Sequence, residues 1–561
     1  MGEDMAKGEV RQLMVGGDEW KVSENPKQDR EWAQRYPEKG EFVGGLISEV
    51  VTPGFDWRDH EYMTIALLKK LFGSDQRKRI TQLTGQLLNI SQMTSSSSTN
   101  SGPYGPVFQL IPGVQSYDWG KTIAQGSLVA QFAEATSESH FKREDGKPYA
   151  ELWMGTHSTL PSSIIPPNGE GKNEYPTLAS YLQEYPNLVG DKVQERFAGS
   201  TSWKGELPFL FKILSIGKAL SIQAHPDKEL ARRLHAEKPK MYKDNNHKPE
   251  MAIALTKFEG FCGFRPLKQI AHFIEIVPEF QSVINPNDQL KSSLAKVKSA
   301  SSIDATETKK LLREIFSALM NAEESLVKKS VSKIAQRYES AINSGKASTL
   351  EVEEDLAKLV ITLNAQFPED VGVLCSFVLN VVHLEPGQAA FLKANEPHAY
   401  IDGEIVECMA ASDNVVRAGL TPKARDVQVL VDMLTYEDSP SDEKRMQPQP
   451  FKPDQSSANA HKYTQSSNDA PSLLYDPPID EFSVVRTVLQ ANESETHRAI
   501  SGPSILIVTA GKGSLSAQIS SSHTFSVDTP GKVYFVGANT PITLQSTGSD
   551  PLITYRAFVE A

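Results

Sequence analysis

Cysteine is scarce in this chain. Only three cysteines occur in 561 residues, Cys262, Cys375 and Cys408, and no two of them form a CxxC pair. An odd number of widely separated cysteines excludes a disulfide scaffold and is typical of reduced thiols in a cytosolic protein. We therefore expect a cytoplasmic location.

Long apolar runs are also absent. No run approaches the roughly 18 residues that a helix needs to cross a bilayer. The first residues, MGEDMAKGEVRQLMV, lack the basic-then-apolar layout of a secretory signal. Ala6 stands where a myristoylation signal requires Ser or Thr. We therefore expect no membrane partner.

Positive charge is in the minority. The chain has 58 Lys and Arg against 70 Asp and Glu, which gives a net charge of −12 and a pI of about 5.6. This balance argues against a general nucleic-acid-binding protein. A phosphorylated small molecule remains compatible with it, because a few local cations can dominate one pocket. We expect a monomer that binds no nucleic acid.

The length of the chain predicts two to four domains. Eight of the twelve residues 91–102 are Ser or Thr, a composition typical of a flexible linker. Residues 437–480 are rich in Ser, Pro, Asp and Gln and are predicted to form a long flexible loop. The predicted organisation is an N-terminal extension (1–90), a linker (91–103), a main domain in two parts (104–265 and 371–435), a helical domain (266–370) and a C-terminal β domain (436–561).

Hydrophobic periodicity separates helical from β segments. Apolar residues in the 311–320 region recur at helical spacing and predict an amphipathic helix. Short β runs alternate with Gly turns in the tail, a pattern typical of an antiparallel barrel or jelly roll. The predicted fold class is mainly β with an inserted α-helical domain. The residues of the helical face are Leu311, Leu312, Ile315, Phe316, Leu319 and Met320.

The segment ALSIQAHPDKELA (219–231) contains candidate metal ligands. Gln223 and His225 lie two residues apart, so on a strand both side chains project to one face. Glu250, in DNNHKPEMAIAL, and His398, in NEPHAY, are candidates on two other segments. One Gln, two His and one Glu suit a four- or five-coordinate N/O site. A strand end with no ligand role remains the alternative from spacing alone.

Several long motifs resemble one enzyme family. YDWGK (117–121), AELWMGTHS (150–158), the segment around Gln223 and NEPHAYIDGEIVECMAASDNVVRAGLTPK (395–423) are similar to those of type I phosphomannose isomerases, in the same order. That family is zinc-dependent and has a cupin fold, so the resemblance implies a jelly-roll architecture with two barrel-like units, and isomerisation of mannose 6-phosphate to fructose 6-phosphate.

The resemblance also implies roles for individual residues. It places one Zn²⁺ per chain on Gln223, His225, Glu250 and His398, and the active-site arginine at Arg417. The other residues that it assigns to the pocket are Trp119, Glu151, Lys212, Ser221, Lys248, Tyr400, Glu407, Asp413 and Lys423.

The N-terminal extension resembles a different family. Residues 44–63, GGLISEVVTPGFDWRDHEYM, are similar to the last strands of a small single-domain cupin family whose members end in a TVAPGF-like run. The rest of such a domain is missing, and a truncated barrel leaves strand edges unpaired. We therefore expect this extension to pack on another element or to be partly disordered, with a helix over 64–90.

The implied reaction moves a proton between C1 and C2 through an enediol-like state. Glu407, Lys248 and a metal-bound water are the candidate bases, and the sequence does not rank them. Arg417 and Lys423 are candidate phosphate ligands, although Arg417 could instead stabilise the enediolate. Such an isomerase feeds GDP-mannose synthesis and hence protein glycosylation and cell-wall mannan.

Two other functions fit parts of the sequence. A catalytically silent cupin could bind a sugar phosphate as a regulator, but the intact ligand set argues against it. An iron-dependent cupin oxygenase would use two His and one carboxylate with open positions for O₂. Gln223, as a fourth protein ligand, favours zinc over that oxygenase.

Overall fold

The computed structural model describes six stretches of the chain. They are residues 102–139, 141–166, 175–197, 205–453, 470–517 and 524–561. The predictions for residues 1–90 and for most of the linker over 91–103 therefore lie outside the described residues. No helix in these stretches is both long and apolar enough to cross a membrane.

The described part of the chain is dominated by β-strands. Most of them are short and carry inward-facing apolar residues, as the β runs of the sequence predict. In chain order they are β1 Val107–Ile111, β2 Gly113–Gln115, β3 Glu151–Met154, β4 Ser163–Ile164, β5 Phe209–Ile216, β6 Ile222–Ala224, β7 Glu250–Ala254, β8 Phe258–Phe264, β9 Leu379–Leu384, β10 Ala389–Leu392, β11 His398–Ala410, β12 Val416–Gly419, β13 Arg445–Met446, β14 Gln449–Pro450, β15 Ser472–Tyr475, β16 Ser483–Leu489, β17 Ser494–His497, β18 Ser504–Ala510, β19 Gly513–Ala517, β20 Thr524–Val527, β21 Val533–Val536, β22 Ile542–Ser546 and β23 Leu552–Phe558.

Helices are concentrated between β8 and β9, which confirms the predicted class of a mainly β protein with an inserted helical domain. The α-helices are α1 Leu128–Ala133, α2 Leu178–Glu184, α3 Asp191–Phe197, α4 Lys228–Glu237, α5 Leu267–Ile276, α6 Pro278–Ile284, α7 Asp288–Ser299, α8 Ala305–Met320, α9 Glu324–Asn343, α10 Glu354–Gln366 and α11 Val427–Met433. The 3₁₀ helices are Ile123–Gln125, Ser137–Ser139, Pro186–Leu188, Ala347–Thr349, Val371–Phe377 and Ser441–Lys444.

The long strand β11 is the centre of an eleven-stranded sheet. Its second half pairs with β5 on one side and with β7 on the other, while its first half pairs with β6 and β8. The strand changes partners at Gly403, which has φ 124°. A Cβ there would lie 2.7 Å from the Lys257 carbonyl oxygen, so only glycine fits. One strand thus carries His398, Tyr400 and Glu407 into the same region.

A second β unit combines both ends of the described chain. An eight-stranded sheet has the order β14-β15-β16-β23-β18-β21-β1-β4, and a four-stranded sheet has the order β17-β22-β19-β20. Residues such as Leu506, Leu515 and Leu544 form a core that spans the two sheets. Strand β1 lies at the start of the predicted segment 104–265, but it pairs with β21 and therefore belongs to the sheet of the C-terminal unit. The predicted loop over 437–480 contains the three short strands β13, β14 and β15.

The helical segment packs directly behind the strands that carry the candidate ligands. The predicted apolar face of α8, including Leu312 and Phe316, is buried. The same core cluster contains Ile222 of β6, Ala399 of β11 and Val416 of β12. The helices therefore support the outer side of β6, β11 and β12.

A buried ion network holds two of these helices together. The Glu279 carboxylate of α6 is 2 % exposed. Arg337 of α9 donates to Glu279 Oε2 at 2.7 Å and to Glu351 Oε1 at 2.7 Å. Removing one partner of a buried ion pair is costly, because the other charge is left without compensation in a poorly solvated position.

We expect Arg337→Ala to lower the free energy of opening of α6 and α9 by about 3 kcal/mol, because it leaves Glu279 buried with Lys333 as its remaining ion-pair partner among the described residues. Native-state hydrogen exchange of the full chain measures this local free energy. Arg313→Ala is the matched control, since its pair with Asp432 is half exposed and is expected to contribute less than about 1 kcal/mol. Equal losses in the two variants would contradict a special role for the Glu279 network.

Candidate active site

Three neighbouring strands align one candidate residue each. Gln223 of β6 lies opposite His398 of β11 on one side and opposite Arg417 of β12 on the other. Directly opposed residues on adjacent strands present their side chains to the same face of a sheet. The two candidate ligands and the candidate arginine thus share one face, although they are far apart in sequence.

His225, Glu250 and His398 converge in a buried cluster. His225 Nε2 is 3.2 Å from Glu250 Oε1, and His398 Nε2 is 3.4 Å from Glu250 Oε2. Their ligand atoms all lie within 4.8 Å of one another. Among His, Cys, Asp and Glu residues of the described stretches, no other group meets this spacing. His225 follows β6 directly, and Glu250 and His398 are the first residues of β7 and β11.

The hydrogen bonds of the two histidines fix which nitrogen carries the proton. His225 Nδ1 lies 2.6 Å from the Asn414 carbonyl oxygen, and His398 Nδ1 lies 3.1 Å from the Glu396 carbonyl oxygen. A carbonyl only accepts, so each Nδ1 donates and each Nε2 is left with a lone pair. This is the arrangement in which an imidazole binds a metal while its other nitrogen is oriented by the protein.

The two Nε2 atoms are buried and have no hydrogen-bond partner among the described residues. Burial also lowers the pKa of His225 to about 4, which keeps its imidazole neutral near neutral pH. Two lone pairs thus face a carboxylate in a site that water does not reach, an arrangement that a cation would stabilise. The donor set of two neutral imidazoles and one carboxylate, with the Gln223 amide beside them, fits Zn²⁺.

The Glu250 carboxylate has further partners. Lys248 Nζ lies 2.8 Å from Oε1, and the Tyr400 hydroxyl donates to Oε2 at 3.2 Å. Burial by itself favours the neutral acid, but the Lys248 ammonium and the two imidazoles, His225 and His398, together outweigh it and hold the pKa of Glu250 well below its usual range. Ser221 Oγ donates to Gln223 Oε1 at 3.4 Å. Three predicted pocket residues, Lys248, Tyr400 and Ser221, therefore contact the candidate ligands directly.

A second buried charge cluster lies on the same sheet. Lys212 of β5 is opposite Glu407 of β11, with Nζ 3.1 Å from Glu407 Oε2 and 3.6 Å from Glu151 Oε2. Burial alone lowers the pKa of Lys212, but the two carboxylates raise it above its ordinary value. Burial raises the pKa of Glu407, although Lys212 opposes this shift. A fixed ammonium thus stands beside a carboxylate that takes up a proton more readily than a free one.

The remaining predicted residues occupy more exposed positions. Trp119 is partly buried against the core around Tyr400. Asp413 is exposed, and its Oδ1 lies 3.7 Å from His157 Nε2. Arg417 is half-buried and forms no ion pair with any described residue, so its charge is free for an anionic ligand. Lys423 is exposed, and the structure brings its side chain to none of the other predicted residues.

Two residues at this site, Tyr117 and His157, are not among the predicted site residues. Tyr117 is one of only two exposed large hydrophobic residues in the described part of the chain, and its ring stacks on Trp119 with centroids 5.8 Å apart. His157 contacts the Trp153 ring as well as Asp413. The only signal for either residue is its position in a family motif, YDWGK for Tyr117 and AELWMGTHS for His157.

Comparison with protein families identifies most of the chain. The family model for phosphomannose isomerase type I, catalytic domain, matches residues 107–267. The models for the helical insertion domain and the C-terminal region of the same family match residues 287–379 and 472–519. A model described as Cupin superfamily (DUF985) matches residues 1–63.

Individual relatives match this chain over nearly their whole length. The chain is 46 % identical over 460 residues to mannose-6-phosphate isomerase of Candida glabrata. The alignment covers 81 % of this chain and 99 % of the relative. It is 45 % identical over 467 residues to the enzyme of that name from Cryptococcus neoformans, with the same coverage.

Solved structures of phosphomannose isomerases are also similar to this chain. A variant of phosphomannose isomerase from Salmonella typhimurium is similar with a TM-score of 0.61 at 28 % identity. A zinc-bound mannose 6-phosphate isomerase is similar with a TM-score of 0.61 at 26 % identity. Each of them covers 81 % of this chain and is itself covered completely. The matches confirm the predicted resemblance and fold class.

Proposed function

The chain belongs to the type I phosphomannose isomerase family, and we propose that the cluster of His225, Glu250 and His398 holds the zinc ion of its reaction. The enzyme is an aldose–ketose isomerase that interconverts D-mannose 6-phosphate and D-fructose 6-phosphate. The observation that carries the proposed site is the pair of buried Nε2 atoms, which have no hydrogen-bond partner in the part of the chain that the structure describes. Gln223, directly opposite His398 on the neighbouring strand, is the proposed fourth ligand. A zinc ion bound there supplies a Lewis acid that stabilises negative charge on the substrate oxygens.

Glu407 is the proposed proton carrier between C1 and C2. Its carboxylate is buried on the same strand as His398, and burial raises its pKa above that of a free carboxylate, which suits a group that takes up and releases a proton during the reaction. Lys212, 3.1 Å away, orients the carboxylate and supplies a fixed positive charge beside it. Lys248 remains the second candidate. Its ammonium is engaged by Glu250, so it is better placed to hold that ligand ionised.

The substrate phosphate is proposed to bind Arg417 and Lys423. The Arg417 guanidinium has no carboxylate partner in the described residues, and a planar fork of this kind matches two phosphate oxygens. Trp119, Ser221, Tyr400 and Asp413 are proposed to contact the sugar, with Glu151 beside Lys212. A partly buried aromatic ring such as Trp119 offers an apolar surface to the sugar's C–H groups.

An Arg417→Lys variant tests the phosphate contact. It keeps the charge but loses one arm of the fork, so we expect kcat/KM for mannose 6-phosphate to fall about 10- to 100-fold, the equivalent of one hydrogen bond to a charged group. Steady-state kinetics of both proteins give this ratio. Lys309→Arg, an exposed pair with Glu437 in the helical domain, is the control for a change of cation type. Full activity of Arg417→Lys would contradict a bidentate role.

Activity itself is tested with a coupled assay. Mannose 6-phosphate is supplied, and formation of fructose 6-phosphate is followed with and without a chelator. Chelator-sensitive turnover is expected. A catalytically silent sugar-phosphate-binding protein would form no product, and this alternative is not favoured by relatives that are themselves isomerases. Bound iron in place of zinc would instead favour an oxygenase.

A further proposal concerns the location, the oligomeric state and the metabolic role of the enzyme. We propose that the enzyme is a cytoplasmic monomer and that it exchanges mannose 6-phosphate with the sugar-phosphate pool that supplies GDP-mannose synthesis and glycosylation. The support is the three reduced, buried cysteines and the relatives' activity. Sedimentation of the full chain and fractionation of cells expressing it test the two physical parts of this proposal.

A further inference from the structure

A strained backbone turn follows Arg417. Leu420 has φ 53°, in the left-handed region that leucine rarely adopts, and its side chain is buried. Such a conformation costs on the order of 1–3 kcal/mol and persists only where the surrounding structure enforces it. The pairing of β12 with β6 also shifts register between Arg417 and Gly419, immediately before this residue. The backbone between the proposed phosphate ligands Arg417 and Lys423 is therefore held in a conformation that it would not adopt by itself.

The hydrogen bonds that enforce this turn come from the helical domain. Asp370, which follows α10, accepts from the Leu420 backbone N–H at 2.7 Å and from the Thr421 N–H at 3.3 Å. The same carboxylate accepts from the Gly372 N–H at 2.7 Å and so caps the 3₁₀ helix Val371–Phe377. One side chain thus connects the end of the helical domain to the turn at 420–421.

The contact between the two segments leaves no space for a side chain. A Cβ on Gly372 would lie 2.5 Å from the Leu420 nitrogen, and a Cβ on Gly419 would lie 2.7 Å from Gly372 Cα. Neither glycine has a positive φ, so it is close approach of the two backbones that requires glycine here. The turn is therefore fixed both by hydrogen bonds and by direct backbone packing.

We propose that Asp370 is a positioning residue through which the helical domain sets the phosphate-binding geometry of the segment 417–423. This inference rests on the proposed function of Arg417 and Lys423. A carboxylate close to a phosphate site repels the anion, so a purely electrostatic role predicts that removing Asp370 strengthens substrate binding. A positioning role predicts the opposite sign.

The test compares Asp370→Ala with wild type in the full chain. We expect the KM for mannose 6-phosphate and the inhibition constant of inorganic phosphate to rise about tenfold, because the two hydrogen bonds that hold the turn and the cap of the adjoining 3₁₀ helix are lost. kcat and zinc content are expected to change less than about threefold. Asp370→Asn keeps one carbonyl oxygen for Leu420 and Gly372, and we expect it to recover most of the substrate affinity.

Two further variants separate positioning from general destabilisation. Asp304→Ala removes the cap of α8, where Asp304 accepts from the Thr306 and Glu307 N–H groups, so it is expected to lower thermal stability without changing KM. Gly372→Ala is expected to displace Leu420 and raise KM even if Asp370→Ala does not fold.

Three results would overturn the inference: an unchanged or lower KM in Asp370→Ala, an equal KM change in Asp304→Ala, or no recovery in Asp370→Asn. Wild-type enzyme that fails to convert mannose 6-phosphate would instead contradict the proposed function.

Discussion

Replacement of His398 by alanine is expected to abolish isomerisation almost completely. The substitution removes one of two buried imidazoles whose Nε2 atoms face Glu250, so both zinc affinity and the charge stabilisation that zinc supplies are lost. Metal-ion catalysis contributes several kcal/mol, so kcat/KM is expected to fall at least about a thousandfold. Steady-state kinetics and metal analysis of the purified variant measure the two effects together.

His383→Ala is the matched control for this experiment. His383 lies on β9, is largely exposed and pairs with Glu259 away from the ligand cluster. Its loss is expected to change neither zinc content nor turnover. A His398→Ala enzyme that kept one zinc ion per chain and most of its activity would exclude His398 from the metal site.

Replacement of Glu407 by glutamine is expected to have the second-largest effect. Glutamine keeps the shape and one acceptor for Lys212 but cannot carry a proton, so kcat is expected to fall about 10²- to 10⁴-fold, the usual contribution of a general acid–base group. Zinc content is expected to stay near one per chain, since Glu407 lies outside the ligand cluster of His225, Glu250 and His398. Single-turnover kinetics and metal analysis distinguish slow chemistry from lost metal.

Glu404→Gln provides a control on the same strand. Glu404 is also buried, but it lies three residues earlier, where the alternation of a strand places it on the opposite face, and it contacts Ser215 and Lys121. Its substitution is expected to leave kcat within about threefold of wild type. If Glu404→Gln and Glu407→Gln were equally slow, the loss would reflect burial of a neutral amide in this sheet. Zinc loss in Glu407→Gln would instead make Glu407 a structural residue.

Local sequence pattern predicts part of the site well. The i, i+2 spacing of Gln223 and His225 places both next to one short strand, and Asp227 caps the following helix α4, as its position after Pro226 suggests. The apolar face of α8 is buried as its periodicity predicts. These features depend on residues close together in sequence, so the local pattern of residue types is enough to predict them.

The remaining features depend on contacts between distant segments. The tautomer of His225 is set by the carbonyl of Asn414, 189 residues away. The pairing of Lys212 with Glu407 depends on the register of β5 against β11. The position of β1 in the C-terminal sheet depends on its pairing with β21, which is more than 400 residues away in sequence. No periodicity reports on such pairings, and family resemblance names the residues without giving the hydrogen bonds that orient them.

One zinc ion, held by Gln223, His225, Glu250 and His398, is proposed to be required for isomerisation. The most direct measurement is a titration of metal-free enzyme with zinc, in which bound metal and conversion of mannose 6-phosphate are followed on the same samples. We predict that activity rises linearly with bound zinc and reaches its maximum at one ion per chain. Full activity in the metal-free enzyme, or a maximum reached only at two ions per chain, would contradict the claim.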